Sequence, residues 1–231
     1  MKQILPMPSG KMINIQEIFT SIDGEVNHQH QGCFTCFIRF SECNLRCKYC
    51  DTERAWTLDN SIEMFPPDIL AQVEKSGCDK VTITGGEPLY QSDGLKELVH
   101  LFLWNTHLSI SIETNGSFSI FDHLISGRLT WVADYKLPSS GMMDKMMSLD
   151  NFAKLSYFDF IKFVIMDRKD YEVAKEIKKD IQKKGGQARM AFSPVHGIMD
   201  AGELIDWCKE DRVLDVIINL QLHKILSLKE G

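Results

Sequence analysis

The sequence predicts an α/β fold with a mainly parallel sheet, arranged as an incomplete (β/α) barrel or an open sheet. Along its 231 residues, stretches rich in apolar and β-branched residues alternate with stretches whose apolar residues recur every three or four positions. This alternation favours parallel strands, because a parallel pair needs a crossover connection that is usually helical. The repeats are too few for a full eight-fold barrel of about 250 residues.

Eight strands and four helices are expected. The predicted strands are 12–19, 34–40, 80–84, 108–113, 131–136, 158–165, 187–192 and 213–220. The predicted helices are 66–77, 93–105, 167–185 and 200–211, several with Asp or Pro near the start. No internal repeat or low-complexity linker interrupts this pattern, so residues 1–231 are expected to form a single domain. In such folds ligands gather at the carboxyl ends of the strands.

Composition and charge favour a globular protein that acts on small molecules. With 44% hydrophobic and 25% charged residues, the chain can bury a core. Its net charge of −6 offers no positive field for nucleic acid or for an anionic membrane surface. No apolar run approaches the ~20 residues of a membrane helix, and the first residues lack the pattern of a signal peptide. We therefore expect a cytoplasmic protein without nucleic-acid or membrane partners.

Three cysteines lie within the ten residues CNLRCKYCDT, directly after the predicted strand 34–40. Cys43, Cys47 and Cys50 form a C-x3-C-x2-C pattern in this loop. The chain has seven cysteines, an odd number, and five of them lie between residues 33 and 50, which a disulfide framework does not explain. Because thiolates favour iron–sulfur clusters, zinc or cuprous copper, the loop is expected to bind a metal centre.

A structural zinc site is the alternative to a cluster at this loop. Closed zinc sites combine two short cysteine pairs, and Cys33 with Cys36 would supply the second pair. These two cysteines lie at the start of a predicted strand, three residues apart, so their side chains are expected to point to opposite faces. We expect them, together with Cys78 and Cys208, to be buried small hydrophobic residues.

Three thiolates on a cluster of four irons leave one iron without a protein ligand, and such an open position can bind a cofactor. The cysteine pattern resembles the signature of the radical S-adenosylmethionine superfamily. The resemblance implies a 4Fe–4S cluster held by Cys43, Cys47 and Cys50, whose open iron binds the methionyl group of S-adenosylmethionine. It also implies an incomplete (β/α) barrel of the radical S-adenosylmethionine type.

Polar motifs follow the next three strands of the predicted sheet. TGGEP, residues 84–88, provides a glycine turn that a ligand can approach and a carboxylate that can hold an ammonium, although an ordinary turn is the alternative. ETNG, residues 113–116, can meet ribose hydroxyls or form an Asx turn. In ADYKLPSSGM, residues 133–142, Lys136 can neutralise a carboxylate.

Together these motifs resemble the 7-carboxy-7-deazaguanine synthases, a family within this superfamily. The resemblance runs from SIDGE, residues 21–25, to LQLHK, residues 220–224, and covers nearly the whole chain. It implies a lyase that converts 6-carboxy-5,6,7,8-tetrahydropterin to 7-carboxy-7-deazaguanine with loss of ammonia, in 7-deazapurine (queuosine) biosynthesis. It further implies Mg²⁺ as a third cofactor, a flavodoxin or ferredoxin as electron donor, and a homodimer.

The same resemblance assigns residues to the two ligands. The cofactor contacts expected from it are Tyr49, Cys50, Asp51, Gly86, Glu87, Glu113, Asp134, Tyr135, Lys136, Ser193, Pro194, Val195 and His196. The expected substrate contacts are Ile22, Asp23, Gly24, Glu25, Arg39, Thr84, His223 and Lys224. A C-terminal segment is expected to close the substrate pocket. No side chain is assigned as catalytic, because the cofactor delivers the radical.

Two of the expected contacts have clear alternatives. Arg39 lies on the strand before the cluster loop, where a buried cation needs an anionic partner. The substrate carboxylate would meet Arg39 in a two-pronged pair, and an internal salt bridge is the alternative. By the resemblance, the hydroxyl of Thr52 ligates Mg²⁺, and a helix cap or turn threonine is the alternative.

Two other functions compete with the synthase. The activating enzyme of anaerobic ribonucleotide reductase is also a short radical S-adenosylmethionine protein, but it acts on a protein glycine, and SIDGE and Arg39 argue against it. A non-enzymatic zinc- or cluster-binding regulator would use the same cysteines. Turnover of the pterin without a partner protein excludes the first alternative, and iron and sulfide analysis after anaerobic purification tests the second.

Overall fold

The computed structural model describes residues 10–120 and 126–228, and in this part of the chain helices accompany a nine-stranded sheet. The strands are β1 (Ile13–Ile22), β2 (Phe34–Phe40), β3 (Ile62–Met64), β4 (Lys80–Gly85), β5 (Ser109–Thr114), β6 (Leu129–Tyr135), β7 (Phe160–Ile165), β8 (Arg189–Pro194) and β9 (Ile217–Ile218). The helices are α1 (Pro66–Ser76), α2 (Ser92–Asn105), α3 (Leu149–Ala153), α4 (Arg168–Lys183), α5 (Ala201–Glu210) and α6 (Leu222–Ile225).

The strands follow the order β3-β1-β2-β4-β5-β6-β7-β8-β9. From β2 to β9 every neighbouring pair is parallel, whereas β1 pairs antiparallel with both β2 and β3. Helices α1 to α5 lie in the connections between the parallel strands. With β3 and β9 at its edges, the sheet does not close on itself. The predicted incomplete barrel with mainly parallel strands is therefore confirmed.

Most predicted strands and helices are present, and the differences have local causes. The strand predicted at 213–220 is reduced to Ile217–Ile218, because the chain bends at residues 215–216 and β9 is an edge strand. Strand β3 and helices α3 and α6 were not predicted. They have only three to five residues each, which is too short for a periodic pattern.

Alternation along the strands separates a large apolar core from a concave face. On β7, Ile161 and Phe163 join the large core, whereas Phe160 and Lys162 face the concave side. There Phe160 packs with Val26, Val132 and Ala191 in a small second core. Polar side chains line this face closer to the carboxyl ends of the strands. The alternation therefore supplies both the packing of the sheet and the walls of a site.

The cysteines outside the triplet differ in burial. Cys36 and Cys208 are buried, as predicted, whereas Cys78 is only half-buried against the large core. Cys33 is exposed, so the prediction for this residue was wrong. The reason is that the start of β2 extends beyond the core, as the exposure of the next residue, Phe34, also indicates. None of the helices in the described part of the chain has the length and hydropathy of a membrane-spanning segment.

Candidate active site

A cleft opens on the concave face near the carboxyl ends of the parallel strands. Its empty space amounts to about 1340 Å³ and is open to solvent. Most of the predicted site residues line it, namely Ile22, Asp23, Gly24, Glu25, Arg39, Cys43, Cys47, Tyr49, Cys50, Asp51, Thr52, Thr84, Gly86, Glu113, Asp134, Lys136, Val195, His223 and Lys224. The fold thus gathers residues from distant parts of the sequence around one space.

Five predicted residues lie outside this lining. Tyr135 packs against two phenylalanines of the large core, because its neighbours in sequence face the cleft and it points the other way. Ser193 is buried and donates a hydrogen bond to the carbonyl of Asn219 at 3.1 Å. Pro194 and His196 line a second depression, at the start of α5. The fifth residue is Glu87.

Glu87 is fully buried behind the wall of the cleft. Its carboxylate accepts hydrogen bonds from the amide of Leu89 at 2.9 Å, the hydroxyl of Thr114 at 2.8 Å and the amide of Asn115 at 2.6 Å. Burial raises the pKa of Glu87 to about 7, although these hydrogen bonds and Lys136 act in the opposite direction. Glu87 therefore ties the turn after β4 to the end of β5.

Two glycines allow the cluster loop, residues 43–50, to lie against the end of β4. A Cβ atom on Gly85, whose φ is 139°, would lie 2.2 Å from the carbonyl oxygen of Phe40. One on Gly86 would lie 2.1 Å from the carbonyl oxygen of Glu42. The amides of Gly86 and Glu87 donate to these same carbonyls at 2.9 and 2.8 Å. Only glycine permits this approach of the two backbones.

The donor set of the cluster loop fits an iron–sulfur cluster. Cys43, Cys47 and Cys50 line the same cleft, and the side-chain amide of Asn115 lies 3.6 Å from the sulfur of Cys43. Within residues 10–120 and 126–228, no three His, Cys, Asp or Glu side chains are close enough to hold one metal ion. Three thiols on one loop fit a cluster in which each thiolate binds its own iron.

Asp134 and Lys136 stand next to the cluster loop, and together with Tyr49 of that loop they are here called the cofactor wall. The ammonium of Lys136 donates to Asp134 at 2.6 Å. Burial pushes the pKa of Asp134 up, but Lys136 and Lys162 outweigh it and the net pKa is lowered. The hydroxyl of Tyr49 is buried and has no hydrogen-bond partner among the described residues. A ligand bound here would meet an ion pair and a phenol without a partner.

Asp23 anchors the loop after β1 to β4. Its carboxylate forms a buried ion pair with Lys80 and accepts hydrogen bonds from the hydroxyl of Thr82 at 3.0 Å and the amide of Glu25 at 3.1 Å. Both carboxylate oxygens of Asp23 are thus bound within the protein. The side chain lines the cleft, but its contacts indicate that it supports the loop.

Glu25 lies where this loop meets β7 and the C-terminal segment. Its carboxylate accepts hydrogen bonds from the ammonium of Lys162 at 2.9 Å, the amide of Asn219 at 2.7 Å and the amide of Gln221 at 2.8 Å. The oxygen of the Asn219 side chain accepts in turn from the backbone amide of Val26 at 3.0 Å. Glu25 therefore presents an oriented carboxylate to the cleft.

Glu113 is a third carboxyl on this side of the cleft. It accepts a hydrogen bond from the hydroxyl of Thr84 at 2.8 Å. Burial raises the pKa of Glu113 to about 7, Lys162 acts against this rise, and Glu25 and Asp23 add to it. The charge of Glu113 therefore changes close to neutral pH.

Arg39 makes the internal salt bridge that was the alternative to a substrate contact. Its Nε donates to Glu17 at 2.6 Å, and Arg54 contacts the same oxygen at 2.7 Å. Arg39 nevertheless lines the cleft, where its Nη1 lies 3.5 Å from the hydroxyl of Thr52. Thr52 donates to Asp51 at 3.0 Å, and its side chain makes no capping hydrogen bond to the following 3-10 helix. The capping alternative for Thr52 is therefore not supported.

The C-terminal segment, residues 221–224, lies between the loop after β1 and the cluster loop. Gly24 packs so tightly on His223 that an added Cβ atom would lie 2.2 Å from the imidazole Nδ1. Lys224 forms an ion pair with Asp51. Burial would raise the pKa of Asp51, but Lys224 and Thr52 outweigh it and the pKa is lowered to about 2. Lys224, predicted to contact substrate, thus joins two walls of the cleft.

Several residues of the site were not predicted from the sequence. Lys80 begins the apolar strand KVTIT and Lys162 stands inside the apolar strand FIKFVI, and a lysine in such a strand predicts a buried partner. That signal identifies both lysines but not their partners. Asn219 and Gln221 gave no signal, because the residue they bind, Glu25, lies 194 and 196 positions away.

Comparison with known proteins agrees with this site. Residues 37–133 match the family model of the radical SAM superfamily. A 7-carboxy-7-deazaguanine synthase of Clostridium acetobutylicum is 37% identical over 92% of this chain and 95% of its own. The synthase of Koribacter versatilis is 32% identical over 94% of this chain and 98% of its own.

A solved structure, QueE from Escherichia coli, has the same fold. It matches with a TM-score of 0.73 at 23% identity and covers 91% of this chain and 94% of its own. At this identity the likeness concerns the fold alone. The two relatives above 30% identity, which extend over nearly the whole chain, establish the family. The chain belongs to the 7-carboxy-7-deazaguanine synthase family of radical S-adenosylmethionine enzymes.

Proposed function

We propose that the protein converts 6-carboxy-5,6,7,8-tetrahydropterin to 7-carboxy-7-deazaguanine with loss of ammonia, as a radical S-adenosylmethionine lyase of 7-deazapurine biosynthesis. The observation that carries the proposal is one cleft in which a three-cysteine loop faces a set of carboxylates and an arginine. The names of the full-length relatives support it over the activating enzyme and the regulator. Product and substrate differ by ammonia alone, so the conversion consumes no net oxidant.

The residues of the cofactor half fit a cluster and S-adenosylmethionine. Cys43, Cys47 and Cys50 would hold a 4Fe–4S cluster and leave one iron open. When bound, the reduced cluster and S-adenosylmethionine supply the radical that removes a hydrogen atom from C6 of the pterin. Asp134 and Lys136 would meet the polar groups of the cofactor, and the phenol of Tyr49 would gain a partner.

On the substrate side, the carboxylate would bind between Arg39 and Thr52. The guanidinium of Arg39 is held by Glu17 at 2.6 Å, so its position is fixed before a ligand arrives. The hydroxyl of Thr52 would ligate Mg²⁺, which keeps most of its other positions for water and substrate oxygens. Fixing the carboxylate at this end places C6 of the ring against the cofactor half of the cleft.

The ring of the pterin would lie against the pterin wall, formed by Glu25, Thr84 and Glu113. The aminopyrimidinone edge is rich in N–H donors, and the carboxylate of Glu25 is an acceptor held in place by three protein donors. Asp23, whose carboxylate is bound by Lys80, Thr82 and the backbone amide of Glu25, would shape the loop that carries Ile22 and Gly24. The C-terminal segment would exclude water from this half of the cleft.

Further properties belong to the same proposal. A flavodoxin or ferredoxin would reduce the cluster, since such clusters need a donor of low potential. The protein would act as a homodimer in the cytoplasm, as one domain, without nucleic-acid or membrane partners. The net charge of −6 supports the absence of nucleic-acid binding, because it provides no positive field for a phosphate backbone.

The test is an anaerobic assay of the purified chain after reconstitution with iron and sulfide. The enzyme is incubated with dithionite, S-adenosylmethionine, Mg²⁺ and the carboxytetrahydropterin, and the products are identified by mass spectrometry. We expect the deazaguanine acid and ammonia to form without a partner protein. A fully reconstituted enzyme that cleaves S-adenosylmethionine but leaves the pterin unchanged would contradict the proposal.

A further inference from the structure

Lys162, in the middle of β7, bridges two carboxylates that belong to different halves of the cleft. Its ammonium lies 2.9 Å from Glu25 on the pterin wall and 3.2 Å from Asp134 on the cofactor wall. Only 9% of its side chain is exposed. Burial lowers the pKa of Lys162, but Asp134, Glu25 and Glu113 outweigh it and hold the pKa well above its ordinary value. The side chain is therefore a fixed cation between the two ligand sites.

The two carboxylates depend on this cation to different degrees. Asp134 has a second ammonium partner, Lys136, at 2.6 Å. The other described partners of the Glu25 carboxylate are the neutral side-chain amides of Asn219 and Gln221. Without Lys162, Asp134 would keep a counter-ion, whereas Glu25 would retain only amide donors.

The surrounding charges make the loss of one cation costly. The concave face carries the carboxyl groups of Asp23, Glu25, Glu113 and Asp134 against the ammonium groups of Lys80, Lys136 and Lys162. The surplus acid is Glu113, whose pKa is raised to about 7. Removing Lys162 would leave two ammonium groups for four carboxyl groups in a buried region, and an unpaired buried charge is strongly unfavourable.

From this geometry we infer that Lys162 is a positioning residue for the reaction: its ammonium holds Glu25 toward the pterin and joins it to Asp134 of the cofactor wall. The inference rests on the proposed function and extends it to a residue that no motif assigned. The physical reason is that a carboxylate without its counter-ion turns to other donors or takes up a proton, and a protonated carboxyl loses acceptor capacity for the N–H groups of the ring.

The direct test compares Lys162→Gln with Lys162→Arg in reconstituted, Mg²⁺-loaded enzyme. Dissociation constants are measured separately for the pterin and for S-adenosylmethionine. We expect Lys162→Gln to weaken pterin binding by about tenfold or more, as for the loss of a hydrogen bond to a charged group. S-Adenosylmethionine binding should weaken less, because Asp134 retains Lys136. Lys162→Arg keeps the charge and should restore most of the pterin affinity.

A matched control is Lys178→Gln. Lys178 is about as buried as Lys162 and pairs with Asp215 at 2.7 Å, on α4 and away from the cleft. This variant should bind both ligands like the parent. If Lys178→Gln weakened pterin binding as much as Lys162→Gln, the loss would reflect general destabilisation, and the inference would be overturned.

The pH dependence of pterin binding provides a readout that a purely structural role would not move. In the parent we expect an inflection near pH 7 from Glu113, whose neighbours in the cleft are Lys162, Glu25, Asp23 and Thr84. In Lys162→Gln, loss of the nearby cation should raise the pH of the Glu113 inflection by about one unit or more. It should stay in place in Lys162→Arg. An inflection that stays at the same pH in Lys162→Gln as in the parent overturns the inference.

Variants at the two ends of the bridge keep the inference testable if Lys162→Gln does not fold. Glu25→Gln should weaken binding of the pterin and leave that of S-adenosylmethionine nearly unchanged, and Asp134→Asn should do the reverse. If each variant lost affinity for both ligands equally, the assignment of Glu25 to the pterin and of Asp134 to S-adenosylmethionine would be wrong. A parent that does not bind the pterin refutes the proposed function, whereas equal pterin binding by parent and Lys162→Gln refutes this inference alone.

Discussion

The cluster loop and the pterin wall occupy the same cleft but are built in different ways. The cluster loop is a continuous segment, residues 43–50, and its base is fixed by backbone hydrogen bonds and by two glycines. The pterin wall combines side chains from three distant segments, and Glu25 depends on partners up to 196 positions away. Backbone contacts hold the first region, and buried charges hold the second. A single substitution should therefore remove a ligand in the first region and disturb several residues in the second.

The largest effect is expected at the cluster loop itself. Cys47→Ser should remove one of the three proposed iron ligands, so that cluster content falls and the lyase activity drops below about a thousandth of the parent's. Iron and sulfide analysis with the product assay measures both. Cys33→Ser, which changes an exposed cysteine outside the cleft, is the control and should keep full activity. A fully active Cys47→Ser variant would break the assignment of this loop.

The next largest effect is expected at the support of the pterin wall. Lys80→Met should leave Asp23 as an unpaired buried carboxylate, because the two side chains are only 5% and 1% exposed. The expected loss in the free energy of unfolding is about 3–5 kcal/mol, measured by denaturant unfolding. Lys11→Met removes the partner of an exposed carboxylate, Asp93, and should leave the free energy of unfolding nearly unchanged, because solvent screens this pair. Equal losses in the free energy of unfolding for Lys80→Met and Lys11→Met would contradict the expected difference between buried and exposed ion pairs.

A smaller effect is expected at Thr52, where the two regions meet. Thr52→Ala should weaken the dependence on Mg²⁺ and lower kcat/KM by roughly tenfold, because the proposed metal ligand and a hydrogen bond to Asp51 are lost. Thr52→Ser keeps the hydroxyl and serves as the control. Kinetics at varied Mg²⁺ concentration provide the measurement. An alanine variant with the parent's rate and metal response would remove Thr52 from the site.

The smallest effect is expected at the ion pair that joins the C-terminal segment to the cluster loop. Lys224 and Asp51 are partly exposed, so Lys224→Ala should raise the KM for the pterin by less than about fivefold. Lys145→Ala, which breaks an exposed pair with Asp144, should leave KM unchanged. A large fall in kcat in Lys224→Ala with an unchanged KM would show that Lys224 does more than hold the segment.

The contrast between the two regions also explains what the sequence could predict. The fold followed from strand and helix periodicity, and the cluster loop followed from the spacing of three cysteines in eight residues. The position of Tyr135 outside the cleft follows from strand alternation once Asp134 and Lys136 are placed inside, a constraint that the motif alone did not apply. Glu87 was expected at the cofactor, but its contacts with Thr114 and Asn115 depend on how β4 and β5 pack.

The long-range partners of the buried charged residues could not be predicted from the sequence. A lysine within an apolar strand predicts a buried counter-ion, but neither the identity of that ion nor its strand follows from spacing. Lys162 faces Glu25 across 137 positions of sequence, and the pairing exists only after the loop after β1 has folded over the concave face. For the same reason Arg39 was assigned to substrate without its partner Glu17, which lies on the neighbouring antiparallel strand.

The most direct test of the proposed reaction follows the hydrogen atom at C6 of the pterin. The pterin is prepared with deuterium at this carbon and turned over by the reduced enzyme with S-adenosylmethionine and Mg²⁺. If one cleft holds both ligands in contact, deuterium should appear in the adenosyl group as the deazaguanine acid forms. Product that forms while all of the deuterium passes to solvent would contradict the account.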